Sequence, residues 1–175
     1  MELDLRDFTG KVYIDTNILL YSAFNHPNFG ESCRNFLERV DQGRVKGYIS
    51  DFVLGEVFHK LMIAEVTKKL MMNTGKAISY IKVNPKIISE LETTWEEMKH
   101  IEESGIVILK NITVFPEFVQ ISRKYSLMAT DAFHVTVMKK SGIRTIVTFD
   151  KDFERVDFVR VWKLQSNKSE SCSSK

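Results

Sequence analysis

The sequence of 175 residues predicts an α/β protein with a mostly parallel central sheet and helices on both of its faces. Two observations carry this prediction. Short apolar runs of strand length alternate along the chain with longer segments whose apolar residues recur every three or four positions. Gly, Pro, Asn or Asp residues separate the two kinds of segment. Strands that alternate with helices form βαβ units, which give parallel strands and right-handed crossovers.

The first half of the chain begins with a short apolar strand and continues mainly as helix. In order, we predict a strand at 11–14, a helix beginning near Ile18, a helix at 30–41, a strand at 44–50 and a long helix at about 52–71. Asp15-Thr16-Asn17 and Ser50-Asp51 supply the polar residues that cap the helices after the two strands. In the helix at 30–41, Cys33, Phe36 and Val40 form one apolar face.

The second half supplies the remaining strands and a polar tail. We predict two helical pieces within 76–104, a strand at 106–109, helices at 113–125 and 130–141, a strand at 144–148, a helical turn at 152–156 and a strand at 158–161. Pro85 separates the two helical pieces, because proline disfavours helix at the residue before it. We therefore expect one domain over 1–164. The serine-rich tail at 165–175 is expected to be disordered.

Composition narrows the class of protein. Hydrophobic residues make up 43% and charged residues 27%, as in an ordinary globular protein. No apolar run is long enough to span a bilayer, and the acidic N-terminus does not resemble a signal peptide, so we expect a cytoplasmic protein. Cys33 and Cys172 form no CxxC motif or disulfide framework. A net charge of +2 neither supports nor excludes RNA binding, so phosphate contacts must come from a local patch or a bound metal ion.

Four acids are candidates for a shared site. Open parallel sheets bind ligands at the carboxyl ends of their strands. Asp15 and Asp150 each follow a predicted strand directly, and Glu56 lies in the first two turns of the helix after the second strand. Asp131 begins a helix that precedes a strand, so simple winding rules do not fix its edge of the sheet.

Clustered carboxylates indicate a divalent cation. Like charges raise one another's pKa, and a cation offsets that repulsion. Mg²⁺ or Mn²⁺ suits an all-oxygen site, whereas zinc fits less well because there is no cysteine cluster and the four histidines are scattered. Such an ion can activate a water molecule for in-line attack on a phosphodiester.

Each acid also has a purely structural interpretation. Asp15 and Asp131 are good helix caps, and Glu56 is typical of a solvated helix surface. Asp150 and Asp152 compete for the same role; we choose Asp150, because it is nearer the strand end and Asp152 is the better candidate for a helix cap. His134, one turn after Asp131, is interpreted as a structural residue rather than an RNA contact.

Four short motifs carry these acids. They are Val12-Tyr13-Ile14-Asp15-Thr16-Asn17-Ile18-Leu19, Ser50-Asp51 with Glu56, Thr130-Asp131-Ala132-Phe133-His134, and Thr148-Phe149-Asp150-Lys151-Asp152-Phe153. In order and context they resemble the PIN-domain family, most closely its prokaryotic VapC-type members. The resemblance spans residue 11 to about 164.

This resemblance implies a three-layer α/β/α sandwich that cleaves single-stranded RNA with Mg²⁺ or Mn²⁺. The acids of the four motifs correspond to Asp15, Glu56, Asp131 and Asp150. Three further positions, Thr16, Asn17 and Thr148, match polar residues that orient a carboxylate or a water molecule. VapC-type proteins are usually toxins paired with an antitoxin, and many form homodimers. Because the segment 72–104 and the tail lengthen this chain, toxin and stand-alone nuclease both stay open.

Other functions remain alternatives. The same fold could serve as a non-catalytic RNA-binding or partner-binding module. A response-regulator-like phosphoacceptor would need paired early acids and a late lysine, and a P-loop hydrolase would need GxxxxGK[ST]; the chain has neither pattern. For the nuclease hypothesis, the basic residues predicted to contact the substrate are Lys11, Lys60, Lys151 and Arg155.

Overall fold

A five-stranded, fully parallel sheet forms the centre of the molecule. The structure is a computed structural model that describes residues 10–166. The strands are β1 (Lys11–Ile14), β2 (Lys46–Ser50), β3 (Val107–Leu109), β4 (Thr145–Val147) and β5 (Arg160–Trp162). Their order across the sheet is β3-β2-β1-β4-β5, and every neighbouring pair is parallel. The predicted disordered tail lies, apart from Gln165 and Ser166, outside the described residues.

Seven α-helices and two 3₁₀ turns flank the sheet over the described residues. They are α1 (Thr16–Ala23), α2 (Gly30–Asp41), α3 (Asp51–Lys69), α4 (Thr74–Val83), a 3₁₀ turn at Pro85–Glu90, α5 (Glu92–Glu103), α6 (Glu117–Tyr125), α7 (Ala129–Lys140) and a 3₁₀ turn at Asp152–Arg155. The helices α1, α2, α3 and α5 pack as one group, and α6 packs on α7. This arrangement confirms the predicted α/β/α class.

Strand β1 is the central strand and is wholly buried beyond its first residue. Val12, Tyr13 and Ile14 have no exposed surface. A central strand of a parallel sheet is covered on both faces, which explains a continuous apolar run where an alternating pattern would otherwise appear. From β1 the chain builds the sheet in one direction to β3 and then crosses over to β4 on the other side of β1. The carboxyl ends of β1 and β4 therefore border a topological switch point, where such sheets bind ligands.

The start of α6 departs from the sequence prediction. A helix at 113–125 was expected, but α6 begins at Glu117, directly after Pro116. Proline disfavours helical backbone at the residue before it, so residues 113–115 do not extend the helix. The last strand is also shifted, to Arg160–Trp162 from 158–161, because the Val159 N–H bonds to the Val156 carbonyl in a turn.

A second, smaller apolar cluster lies at the far end of α3. It is built from Val66, Ala77 and Leu91, with half-buried side chains from α4 and the adjoining 3₁₀ turn packed around them. The predicted break at Asn84-Pro85 is present, since α4 ends at Val83. Over residues 10–166, every helix falls short of the combined length and apolar character required to cross a bilayer.

Candidate active site

Three aspartates converge beyond the carboxyl end of β4. Asp131, Asp150 and Asp152 each offer a carboxylate oxygen, and these oxygens lie within 4.8 Å of one another. Asp150 lies in the loop after β4 and Asp152 begins the 3₁₀ turn that follows, whereas Asp131 is the third residue of α7. Helix α7 ends a few residues before β4 begins, so it runs back along the sheet and starts at the carboxyl edge. This direction settles the placement of Asp131 that the sequence left open.

Asp15 lies at the end of β1 and is almost fully buried, with 6% of its surface exposed. The Thr148 hydroxyl donates to its Oδ2 at 2.6 Å, and the Asn17 amide lies 3.4 Å from the same atom. Burial raises the pKa of Asp15, and Glu56 adds to the rise, while the Thr148 hydrogen bond opposes it. Two of the three predicted supporting residues therefore contact this carboxylate.

Glu56 is held by three groups from three helices. Its Oε2 accepts a hydrogen bond from the Thr16 hydroxyl at 2.7 Å and faces His134 Nε2 at 3.6 Å, and its Oε1 pairs with Lys60 at 2.8 Å. The His134 contact, followed by Lys60 and Thr16, lowers the pKa of Glu56 to about 2 against the opposing effect of burial. The side chain is only 21% exposed, so the solvated-surface interpretation of Glu56 is wrong.

A buried hydrogen-bond chain stands behind Glu56. The Tyr13 hydroxyl lies 2.8 Å from Ser50 Oγ and 3.1 Å from His134 Nδ1. Burial raises the pKa of Tyr13 above its ordinary value, so the phenol stays protonated and can donate to Nδ1. With Nδ1 accepting, the imidazole presents its Nε2–H to Glu56. The structural interpretation of His134 holds in this sense, but its position against Glu56 was not predicted.

Electrostatic repulsion links Asp131 to the other acids. Burial raises the pKa of Asp131 first, and Asp150, Asp152 and Asp15 raise it further, while His134 lowers it. Asp131 is not the N-cap of α7, because that position is Met128. The capping interpretation therefore does not account for a carboxylate placed among three others.

Asp150 and Asp152 both belong to the acid cluster. Asp150 Oδ1 also accepts the backbone N–H of Asp152 at 2.8 Å, whereas the N-cap residue of the 3₁₀ turn, Lys151, makes no side-chain cap bond. Asp152 joins the acid cluster and also accepts from Arg155 at 2.7 Å. The sequence held one sign that Asp152 could belong to the site. Asp152 is two residues after Asp150, and residues two apart in a tight turn can both face a site at a strand end.

The four predicted basic contacts are in different environments. Lys60 is bonded to Glu56, and Arg155 is bonded to Asp152 and to the Ser126 carbonyl at 2.9 Å. Lys151 is exposed in the loop between two cluster acids. Lys11 is the first residue of β1, and its Nζ lies 5.9 Å from the centre of the Tyr48 ring. It is therefore at the amino end of the strand, whereas Asp15 follows the carboxyl end.

The donor set fits a hard divalent cation. The cluster offers carboxylate oxygens, the ligands that Mg²⁺ and Mn²⁺ prefer. Burial, followed by repulsion from the neighbouring carboxylates, raises the pKa of Asp131, and a bound cation relieves that repulsion. Asp131, Asp150 and Asp152 would hold such an ion, with Asp15 and Glu56 beside them.

Fold and site together define a doubly wound α/β protein with a carboxylate-rich candidate cation site at its switch point. The PIN domain family matches residues 12–159, and the chain belongs to that family. Ribonuclease VapC2 of Methanocaldococcus jannaschii is 29% identical over 158 residues, covering 88% of this chain and 94% of that protein.

Solved structures show the same fold. The VapBC2 structure from Rickettsia felis, bound to a promoter DNA fragment, matches with a TM-score of 0.59 at 17% identity, covering 89% of this chain and 99% of the matched chain. VapC20 of Mycobacterium tuberculosis, a sarcin-ricin loop cleaving toxin, matches with a TM-score of 0.50 at 16% identity, covering 85% and 96%. The expected resemblance to VapC-type members is confirmed.

Proposed function

We propose that the protein is a Mg²⁺- or Mn²⁺-dependent endoribonuclease that hydrolyses phosphodiester bonds of single-stranded RNA. The observation that carries the proposal is the convergence of Asp131, Asp150 and Asp152 within 4.8 Å at the switch point of a PIN-family sheet. The similarity to a ribonuclease over nearly the whole chain supports the choice of RNA as the substrate.

In this proposal each acid has a distinct position. Asp131 and Asp150 hold the ion together with Asp152. The buried Asp15 and half-buried Glu56 add further negative charge beside the ion. Thr148 and Asn17 hold the carboxylate of Asp15, and Thr16 holds that of Glu56. A bound divalent ion supplies Lewis acidity and activates the hydrolytic water.

Because these acids repel an RNA phosphate, substrate binding also requires basic side chains near the site. Lys60 is half exposed at 42% and reaches the site through its 2.8 Å contact with Glu56, so its ammonium is placed to meet a phosphate as well. We assign Lys151 and Arg155 the same role on the Asp152 side of the cluster. Arg155 is already fixed by two hydrogen bonds and so loses little side-chain freedom on binding.

The relatives also support a biological role. VapC2 is named a ribonuclease, VapC20 is named a sarcin-ricin loop cleaving toxin, and another matched structure is of VapBC2. We propose that this chain acts in the cytoplasm as the toxin of a toxin–antitoxin pair, with a small antitoxin protein as its partner. A homodimer is part of the same proposal, and sedimentation of the purified chain measures it.

The activity is tested with purified protein and a labelled single-stranded RNA. We expect cleavage with Mn²⁺ or Mg²⁺, none in EDTA, and loss of at least about a hundredfold in rate for Asp15→Asn, since a charge next to the metal site is removed. Asp157→Asn is the matched control. Asp157 is an exposed acid that pairs with Lys124, and it precedes β5, at the amino ends of the strands and away from the acid cluster. Undiminished cleavage by the Asp15→Asn variant would refute the assigned role, and metal-independent RNA binding without cleavage would favour the non-catalytic alternative.

A further inference from the structure

An aromatic pair is exposed at the start of α3, beside the acids. Phe52 is 38% exposed, and its ring stacks on that of Phe133 at a centroid distance of 5.0 Å and an interplanar angle of 20°. Phe118 packs behind Phe133 at 4.4 Å. One face of the pair is thus supported by the core, while the outer ring faces solvent. Burying a large apolar ring is favourable, so a solvent-facing ring with rigid support suggests a binding role.

The pair adjoins the acid site by two independent measures. Phe52, Glu56 and Lys60 are spaced four residues apart on α3, so they lie along one face of that helix. Four residues advance a helix by about 6 Å, which places the ring one turn from the Glu56 carboxylate. The Phe52 ring also meets His134 edge-on at 5.5 Å, and His134 Nε2 is 3.6 Å from Glu56.

This order of groups matches the chemistry of a single nucleotide. A nucleotide presents an anionic phosphate and, a few ångströms away, a flat apolar base. The helix face presents the Glu56 carboxylate and the Lys60 ammonium group, and one turn earlier a flat aromatic ring. Proteins that bind single-stranded RNA stack unpaired bases on aromatic side chains beside positive groups that contact the backbone.

We propose that Phe52, backed by Phe133, stacks an unpaired RNA base next to the phosphate that is cut. The proposal rests on the proposed ribonuclease function and adds the substrate feature that this surface recognises. A ring that stacks without hydrogen bonds tolerates every base, because each base has a π face. The platform therefore selects for an unpaired nucleotide at this position, not for a particular sequence.

The first experiment measures cleavage of a labelled single-stranded RNA by Phe52 variants of the full chain. We expect Phe52→Leu to raise KM about tenfold with little change in kcat, because Leu keeps apolar bulk but loses the ring face. Phe52→Trp should restore KM to the parent value. Trp95→Leu is the matched control. Trp95 is 43% exposed and also packs on a phenylalanine, Phe58, at 5.4 Å. Phe58 is two residues after Glu56, on the opposite side of α3.

The second experiment uses RNAs that carry one abasic nucleotide at each position around the cut. At the stacked position, loss of the base should raise KM about tenfold for the parent protein and add nothing for Phe52→Leu. At other positions the two losses should add. This double-mutant cycle separates a direct base–ring contact from a general weakening of the site.

Several results would overturn the proposal. One is a parent-like KM for Phe52→Leu; another is a KM that rises equally for every abasic RNA. Sedimentation provides a third: if the parent chain self-associates through this face, Phe52→Leu would abolish the dimer and leave RNA binding unchanged. If the parent protein cuts no RNA, the ribonuclease function fails, and RNA binding measured by anisotropy in EDTA still decides whether Phe52 contacts a base.

Discussion

Asp152 shows how a single side chain can be placed by its neighbour. Its backbone N–H is fixed by Asp150, and its carboxylate is fixed by Arg155 while remaining within reach of Asp131. Both members of the Asp150/Asp152 pair thus face the site, although the sequence allowed a choice of only one. The sequence shows two acids spaced two residues apart after a strand. It does not show that the backbone turn there directs both side chains toward α7.

We predict that Asp150 and Asp152 share the bound ion. Asp150→Asn and Asp152→Asn should each weaken Mn²⁺ binding at least about tenfold in titration calorimetry, because each removes one of the charges that attract the ion (about 1.4 kcal/mol per tenfold). Asp157→Asn should bind Mn²⁺ like the parent chain. Parent-like affinity in the Asp152 variant would leave Asp150 as the only ligand in this loop.

The buried Tyr13 hydroxyl has a measurable energetic role. Tyr13→Phe removes the partner shared by Ser50 and His134, and an unsatisfied buried polar group costs about 1–3 kcal/mol. Urea denaturation should show a loss of that size. Tyr125→Phe is the matched control, because the Tyr125 hydroxyl bonds to Asp157 at an exposed site, where the change should cost under about 1 kcal/mol. Equal losses in both variants would contradict a special role for the buried chain.

The residues of the candidate site were partly readable from the sequence. Asp15, Glu56, Asp131 and Asp150 lie at one edge of the sheet as the strand-end rule suggests, and Asp15 and Glu56 are held by predicted supporting residues. The position of His134 against Glu56 could not be predicted, because the sequence around a histidine on an amphipathic helix does not indicate which strand it will face. The predicted substrate contact Lys11 lies at the start of the strand that Asp15 follows, away from the acids.

Among the elements, the long helix α3 connects the site with the smaller apolar cluster. Its first turns carry Phe52 and Glu56, and its last turns carry Glu65 and Val66. Glu65 is 6% exposed, and its carboxylate accepts the backbone N–H groups of Thr93 and Thr94 and the Thr94 hydroxyl. A side chain of α3 thereby caps α5, which has no side-chain cap from its own N-cap residue, Leu91.

Loss of this cap should destabilise the segment that follows it. Glu65→Ala leaves two helix N–H groups and a buried hydroxyl without their acceptor, and we expect a cost of about 2–4 kcal/mol in urea denaturation. Limited proteolysis should cut first within 84–104. The control is Glu103→Ala, which removes an exposed acid at the other end of α5 and should change stability by less than about 0.5 kcal/mol. A parent-like denaturation midpoint for the Glu65 variant would contradict the capping role.

Elements were predicted well where local signals agree with packing. Strand β1 and helix α2 have the predicted bounds, because each combines an uninterrupted apolar pattern with clear polar ends. The start of α6 differs from the prediction because the helix begins only after Pro116. The cap from Glu65 could not be foreseen, since it joins residues almost thirty positions apart.

For the whole molecule, the topology explains why acids distant in sequence meet. The chain leaves β1 toward β3 and returns through α6 and α7 to β4, so the ends of β1 and β4 and the start of α7 share one edge. Burial, and then repulsion among the charges gathered there, raises the pKa of Asp15 and Asp131. The fold therefore carries an electrostatic cost at this edge, and a cation that binds only the folded chain should offset it.

Thermal unfolding measures this cost directly. At about 100 times its Kd, Mn²⁺ should stabilise the parent chain by about 2.7 kcal/mol, which raises Tm by roughly 5–10 °C for a domain of this size. Asp131→Asn removes one repelling charge, so in EDTA its Tm should exceed that of the parent, and added Mn²⁺ should raise it little further. Asp157→Asn should follow the parent in both conditions. A lower Tm for Asp131→Asn in EDTA would mean that Asp131 stabilises the fold without a metal ion. That result would contradict the prediction that this carboxylate destabilises the metal-free protein and serves to bind the ion.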